Sequence, residues 1–178
     1  HVLGVVAAAE KLAKLYGANV KEARLAAYIH DAAKYTKATD TISFLEERGY
    51  SLSEEDKSMP ELLHGLVGAI IGRDIMDIPY ESVFNAARYH TTGRENMTLL
   101  EKVIFVADYI EPSRNFPGVM ELRQLACEDL DRAIIKAYDN TIKYVIDGGK
   151  LIHTDTIRAR NYLLSTMSQE NSHEHNIR

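Results

Sequence analysis

Residues 25–34 read LAAYIHDAAK, in which His30 and Asp31 follow an almost continuously apolar helical run. The residues on the amino-terminal side of this pair predict a helix whose end lies in a buried or cleft environment. A buried carboxylate without a partner costs several kcal/mol and tends to take up a proton instead. A bound cation would remove that cost, so the pair indicates a site that holds charge.

Other imidazoles and carboxylates occur in similar surroundings along the chain. Asp108 lies within VIFVADYI (residues 103–110), where a buried ion pair explains an acid about as well as metal ligation does. His64 or His90 taken alone is better read as an ordinary histidine. The ordered set changes this balance, because each member would otherwise need its own separate explanation. The candidate metal ligands are His1, His30, Asp31, His64, His90 and Asp108.

These residue types favour particular ions. Neutral imidazole and ionised carboxylate suit zinc, iron, manganese or cobalt, and the single Cys127 excludes a thiolate site.

Apolar residues recur at helical spacing through nearly the whole chain, and no strand-like alternation persists. The sequence therefore predicts an all-α fold in one domain over residues 1–167, followed by a polar, frayed tail over 168–178. The predicted helices cover residues 1–16, 19–33, 40–48, a segment capped by Ser53 and Asp56, 60–71, 79–90, a segment carrying Asp108 that starts with a capping box of Thr98 and Glu101, 129–146 and 157–167.

Composition narrows the possible partners. The formal net charge of −5 disfavours binding to a nucleic-acid backbone, which requires a basic surface. No apolar run is long enough to span a membrane, and the first residues lack a signal-peptide pattern. A lone cysteine fits a cytoplasmic location. We expect a small-molecule ligand and leave open whether the chain forms a homodimer.

Six segments together resemble one known family. They are HVLGV (1–5), HDAAK (30–34), HTTG (90–93), ADYIEPSR (107–114), FPG (116–118) and TIRARN (156–161). With His64 between them, their order is similar to that of the HD-domain metal phosphohydrolases, and more narrowly of the YqeK-type branch, which hydrolyses dinucleoside tetraphosphates symmetrically. The resemblance extends from His1 to about Leu164.

The resemblance implies an HD-domain helical bundle with a metal site between helices. One metal ion would be held by His1, His30, Asp31 and Asp108, and a second by His64 and His90, with Asp31 bridging the two ions. Iron (Fe) is the expected native metal, and manganese, cobalt and zinc are alternatives.

The resemblance also implies roles in catalysis and substrate binding. Asp31 and Lys34 are expected to be catalytic, and the expected reaction is symmetrical cleavage of diadenosine tetraphosphate to two ADP by a metal-bridging hydroxide. The residues expected to contact substrate are His1, Lys34, Arg114, Arg160 and Asn161. Without the resemblance, Lys34 would be read as a basic residue at a helix C-terminus, and Arg160 as part of a solvated helix face.

Three alternative functions remain open at this stage. The chain could be an HD-domain nucleotidase acting on another nucleotide, or a nucleotide-binding module without turnover. It could also be a di-iron carrier in a helical bundle, although such proteins tend to carry paired Glu-x-x-His motifs, which are absent among these candidates. The role of His153, as a cap or as a core residue, also stays open.

Overall fold

The computed structural model describes residues 1–175, with side chains through residue 169, and confirms the all-α prediction. Within this range the chain forms ten α-helices and no strand. The helices are α1 (Val2–Tyr16), α2 (Val20–Ile29), α3 (Ala38–Glu46), α4 (Glu54–Ser58), α5 (His64–Asp74), α6 (Glu81–Arg88), α7 (Leu99–Ile110), α8 (Val119–Glu128), α9 (Leu130–Asp147) and α10 (Thr154–His175). A short 3₁₀ turn, Pro60–Leu63, precedes α5. None of the described helices is both long and apolar enough to cross a membrane.

Helix α7 is the centre of the core. It packs against α1, α2, α6, α8 and α9, and most of its side chains are buried. Val103 and Ile104 have no exposed surface, and fully burying an aliphatic side chain of this size stabilises the fold by about 1.5–3 kcal/mol. Asp108 lies near the carboxyl end of α7, so the core fixes its position.

Several helix ends follow the sequence signals. Helix α1 ends at Gly17, whose φ of 79° lies in the left-handed region. The Asn19 side chain accepts a hydrogen bond from the backbone of Glu22 at the start of α2. Ser53 and Asp56 form the reciprocal capping box that was predicted before α4.

Two predicted details of the helix ends are wrong. Helix α2 ends at Ile29 rather than near Ala33, because the backbone that follows forms turns with hydrogen bonds between residues three apart, such as Lys34 N–H to the carbonyl oxygen of Asp31. Thr98 caps α7 as expected, but the Glu101 side chain does not complete the capping box. It binds the Arg94 guanidinium through both oxygens instead.

Two further differences concern the carboxyl-terminal third. Helix α8 was not predicted. Helix α10 continues past Met167 to His175. The end of the predicted polar tail, residues 176–178, lies outside the described residues.

Two glycines let α5 approach its neighbours closely. A Cβ on Gly68 would lie 2.5 Å from the carbonyl oxygen of Ile29, and one on Gly65 would lie 2.8 Å from that of Arg88. Those carbonyls lie just before His30 and His90 in the chain. The two glycines therefore let α5 pack closely against the segments that carry His30 and His90, and His64, the first residue of α5, lies against His90.

Candidate metal centre

Three histidine rings are oriented by the same local hydrogen bond. In each, Nδ1 lies 2.6–2.7 Å from the backbone oxygen three residues earlier. The pairs are His30 with Ala27, His64 with Glu61, and His90 with Ala87. A carbonyl oxygen can only accept, so Nδ1 donates and carries the ring proton. Each Nε2 is left with a lone pair that is free to bind a cation.

The free nitrogens and one carboxylate oxygen converge. Nε2 of His64 lies 3.1 Å from Nε2 of His90, and two facing lone pairs at that distance repel each other. Nε2 of His30 and Oδ1 of Asp31 are buried without a hydrogen-bond partner in the described residues. Buried polar atoms are normally satisfied, and unsatisfied ones indicate a missing water or ion. The donor set fits a metal that prefers nitrogen and oxygen ligands.

Asp31 lies between two groups of donors. Its Oδ1 is 3.0 Å from Nε2 of His64 and 3.5 Å from that of His90. Its Oδ2 is 3.2 Å from Nε2 of His1 and 3.5 Å from that of His30. Each carboxylate oxygen thus faces a different pair of imidazoles, which is the arrangement that a bridging ligand requires.

Asp108 completes the group on the His1 side. Its Oδ1 is 3.1 Å from Nε2 of His1 and 3.8 Å from that of His30. Two sets of three ligand atoms lie within 4.8 Å of one another, one from His1, His30 and Asp108, the other from His30, Asp31 and His90. All six residues predicted as ligands therefore meet in one cluster, which we call the donor cluster.

The protonation states favoured by the surroundings suit metal binding. Burial alone would raise the pKa of Asp31, but hydrogen bonds from Lys34 and from His64 and His90 when these rings are protonated outweigh it and hold the pKa well below its usual range. Burial, helped by the neighbouring His90, lowers the pKa of His30. Metal ligands must be an ionised carboxylate and a neutral imidazole, and these are the forms favoured here.

Two cationic side chains lie at the edge of the donor cluster. Lys34 Nζ is 2.7 Å from Oδ2 of Asp31, which lies three residues earlier in the chain. Arg114 Nη2 is 2.7 Å from Oδ1 of Asp108, and its Nε donates to the backbone oxygen of the same residue. About a third of each cationic side chain is exposed. Both can therefore reach an anion that approaches from solvent.

The structure does not bring Arg160 and Asn161 to this cluster. Arg160 Nε donates to Oδ1 of Asp139 on α9 at 2.6 Å, and Asn161 is exposed on α10. Among the described contacts, neither residue reaches a candidate ligand. Their predicted substrate contact stays a prediction.

Glu111 and Arg123 were missed by sequence reasoning. Glu111 is buried, with Oε1 3.1 Å from Nδ1 of His1. Arg123 on α8 donates to the backbone oxygens of Ile110, Glu111 and Arg114, which fixes the loop after α7. An acid directly after a buried helix was a signal for Glu111. Arg123 had no comparable signal, because α8 itself was not predicted.

A groove of about 460 Å³ is lined in part by residues close in sequence to His64 and His90, although none of the six candidate ligands lines it. Its wall includes Glu61, whose carbonyl orients His64, and Thr91, which follows His90. The remaining wall combines apolar and hydrogen-bonding side chains, including Leu62, Thr141, Ile142, Tyr144 and His153. His153 also accepts a hydrogen bond from the backbone of Asp155, which supports its reading as a cap of α10.

Comparison with known proteins identifies the family. A family model described as HD domain matches residues 1–113. The chain belongs to the HD-domain family.

Relatives that match most of this chain give a more specific comparison than the family model does. The symmetrical bis(5'-nucleosyl)-tetraphosphatase of Halalkalibacterium halodurans is 45% identical over 166 residues, covering 92% of this chain and 87% of that one. The Bacillus subtilis protein of the same name is 41% identical, with 93% and 88% covered. A crystal structure from Clostridium acetobutylicum, described as a "predicted HD superfamily hydrolase involved in NAD metabolism", has a TM-score of 0.91 and 49% identity, with 93% and 88% covered.

Proposed function

We propose that this HD-domain chain is a metal-dependent hydrolase that cleaves diadenosine tetraphosphate symmetrically to two ADP. The proposal rests on the position of Asp31, whose two oxygens face different pairs of imidazoles. Lys34 and Arg114 lie at the edge of the same donor cluster. The names of the Halalkalibacterium and Bacillus relatives support this substrate.

The chemistry of the substrate explains why this arrangement is needed. A polyphosphate resists hydrolysis because its anionic oxygens repel an attacking nucleophile, so positive charge must be concentrated around it. Two bound metal ions would supply a water of lowered pKa and Lewis acidity at the phosphoryl oxygens. Asp31 would hold both ions in register, and His1, His30, His64, His90 and Asp108 would complete their coordination.

Lys34 and Arg114 would bind the phosphates. A guanidinium can form two parallel hydrogen bonds to a phosphate, and an ammonium neutralises a nearby charge. In symmetrical cleavage, the water oxygen bonds to one central phosphorus. The oxygen bridging the two central phosphorus atoms leaves with the other ADP, and the protons of water pass to solvent. ADP is a weakly basic leaving group, so no strong general acid is required.

The groove lined in part by Glu61 and Thr91 would take one nucleoside. Its volume of about 460 Å³ lies in the range of small-molecule pockets, about 300–1,000 Å³, and its mixed wall suits a base and a ribose. Arg160 and Asn161 remain substrate contacts proposed from the family resemblance alone.

We propose that iron is the native metal. We also propose a cytoplasmic location, with which the single Cys127 is consistent. Imidazole and carboxylate ligands accept several first-row metals, so metal analysis of protein purified without oxygen tests the choice. Manganese, cobalt or zinc as the only bound metal would contradict it.

Product analysis tests the proposed reaction. Protein loaded with iron or manganese should convert diadenosine tetraphosphate to ADP as its only nucleotide product, whereas Asp31→Ala protein prepared in the same way should not. AMP plus ATP would contradict symmetrical cleavage. Binding without turnover would indicate a nucleotide-binding module. NAD should be tested in parallel because of the description of the Clostridium structure, and faster cleavage of NAD would favour another nucleotide as substrate.

A further inference from the structure

The ring of His1 is oriented differently from the other three. His30, His64 and His90 each follow a helical turn, and a carbonyl of that turn receives the Nδ1 proton. His1 is the N-cap of α1, and the described contacts of its Nδ1 include no backbone carbonyl. Its Nδ1 instead lies 3.1 Å from Oε1 of Glu111, which is distant in sequence.

The Glu111 carboxylate is itself held firmly. Its side chain is 1% exposed, and the backbone N–H of Ser113 donates to Oε2 at 2.8 Å. The Ser113 hydroxyl donates to Oε1, so both carboxylate oxygens are held by the residue two positions along the chain. The carboxylate also fills the space where a Cβ on Gly4 would be, so α1 packs directly onto it.

The opposite ring nitrogen of His1 points into the donor cluster. Nε2 lies 3.1 Å from Oδ1 of Asp108 and 3.2 Å from Oδ2 of Asp31. A ring that binds metal through Nε2 must carry its proton on Nδ1, and a carboxylate is a better acceptor for that proton than a carbonyl. Glu111 therefore lies at the one position from which it can select both the tautomer and the direction of this ligand.

We infer that Glu111 is a positioning residue, which accepts the Nδ1 proton of His1 and aims Nε2 at a metal ion shared with Asp108. This inference rests on the proposed metal function and adds an assignment within it. Partners of metal-bound histidines typically contribute about 10–100-fold to metal affinity. The contribution of Glu111 should fall on the metal site that contains His1.

Titration of metal-free protein with Mn²⁺ tests the inference, with bound metal followed by electron paramagnetic resonance. Wild-type protein should bind two ions. Glu111→Ala should weaken one site by about 10–100-fold and leave the other unchanged. Glu111→Gln keeps an oxygen that can accept the Nδ1 proton, so it should recover most of the lost affinity.

Glu101→Ala is the matched control. Glu101 is also 1% exposed and lies on α7, but its partner is Arg94 rather than a candidate ligand. This variant should lower thermal stability without changing the affinity of either Mn²⁺ site. A second check combines Glu111→Ala with His1→Ala, because a residue that acts through His1 should have no further effect once that ring is absent.

Each result supports or contradicts a specific statement. If wild-type protein binds two ions and Glu111→Ala binds both with unchanged affinity, the inference is wrong and the proposed function stands. If wild-type protein binds no Mn²⁺, both fail. A full additional loss in the His1→Ala background also contradicts the inference. Should Glu111→Ala not fold, Ser113→Ala removes the exposed hydroxyl that holds the carboxylate, and it should weaken the same site about 3-fold or more.

Discussion

The two sides of the donor cluster are built in different ways. On the side of His64 and His90, each ring is oriented by a carbonyl three residues earlier in its own segment. On the side of His1 and Asp108, the contacts come from the loop after α7: Glu111 orients the His1 ring, and Arg114 pairs with the Asp108 carboxylate. Arg123 on α8 then fixes the loop that carries both of these groups.

The difference has a structural consequence. A ring oriented by its own helix keeps its direction wherever that helix goes, so the His64 side depends mainly on the placement of α5 and α6. The His1 side depends on three segments at once, α1, the loop after α7, and α8. We therefore expect the His1 side to be the more sensitive to changes distant in sequence.

The largest effect on metal binding and turnover is expected at Asp31, which faces both sides of the donor cluster. Asp31→Ala removes the ligand shared by both, and should abolish binding of both metal ions. A metal that stabilises transition-state charge contributes several kcal/mol, and about 1.4 kcal/mol equals tenfold in rate, so turnover should fall by at least about 10³-fold. Metal content and initial rate of ADP release measure the two effects. Retention of two tightly bound ions would show that Asp31 does not bridge.

On the side of His64 and His90, a change in helix packing alone should disturb metal binding. Gly68→Ala places a Cβ 2.5 Å from the carbonyl oxygen of Ile29, so α5 must move away and carry His64 with it. Overpacking of this kind costs about 1–3 kcal/mol, measured by urea unfolding, and should weaken the metal site that contains His64. Gly72→Ala is the control, because its Cβ comes close only to the terminal Cδ1 of Ile29, at 2.5 Å, and meets no backbone atom among its nearest neighbours. Equal effects of the two variants would contradict this account.

On the side of His1 and Asp108, a variant of Arg114 can separate substrate binding from metal binding. Arg114→Ala should raise KM for diadenosine tetraphosphate about 10–100-fold, since a hydrogen bond to a charged group contributes about 1.5–3 kcal/mol. Metal content should stay unchanged, and Arg114→Lys should recover part of the loss. A loss of metal would mean that the bond between Arg114 and Asp108 supports a ligand rather than binding phosphate.

The smallest effect is expected at a cap outside the cluster. Asp56 is bound by Ser53 and His153, and these contacts lower its pKa although burial raises it. A lowered pKa means that the unfolded chain takes up the proton first as pH falls. The contribution of ionised Asp56 to the free energy of unfolding is therefore present above the ordinary pKa of about 3.9. It is lost as the pH drops through the lower pKa of Asp56 in the folded protein.

Asp56→Asn measures that contribution. The variant should be less stable than wild type by about 1 kcal/mol at pH 7, and the difference should shrink toward pH 3. Urea unfolding at both pH values provides the measurement, and the Mn²⁺ affinities at pH 7 should match wild type. A difference independent of pH would mean that the cap does not depend on the charge of Asp56.

Local features were predictable because their causes lie close together in sequence. The apolar spacing predicted the helices, Asn19 and Ser53 predicted two caps, and the ordered set of histidines and aspartates gave the candidate ligands. Helix α8 was missed because no side-chain cap marks its start at Gly118. Helix α2 was drawn too long because the turns that follow it leave no clear sequence signal. Glu101 fitted a capping box, but its bond to Arg94 depends on a turn whose shape the pattern does not contain.

By itself, the sequence determined that this chain is helical, that it resembles the HD-domain proteins, and which six side chains are candidate metal ligands. The helices follow from residue type and spacing, and the family follows from the resemblance of its motifs. Only the tertiary structure decided that each oxygen of Asp31 faces a different imidazole pair, that Arg160 pairs with Asp139 away from the cluster, and that Glu111 orients His1. The reason is physical: these are contacts between segments far apart in the chain, and only the packing of α1, α5, α7 and α8 sets their distances.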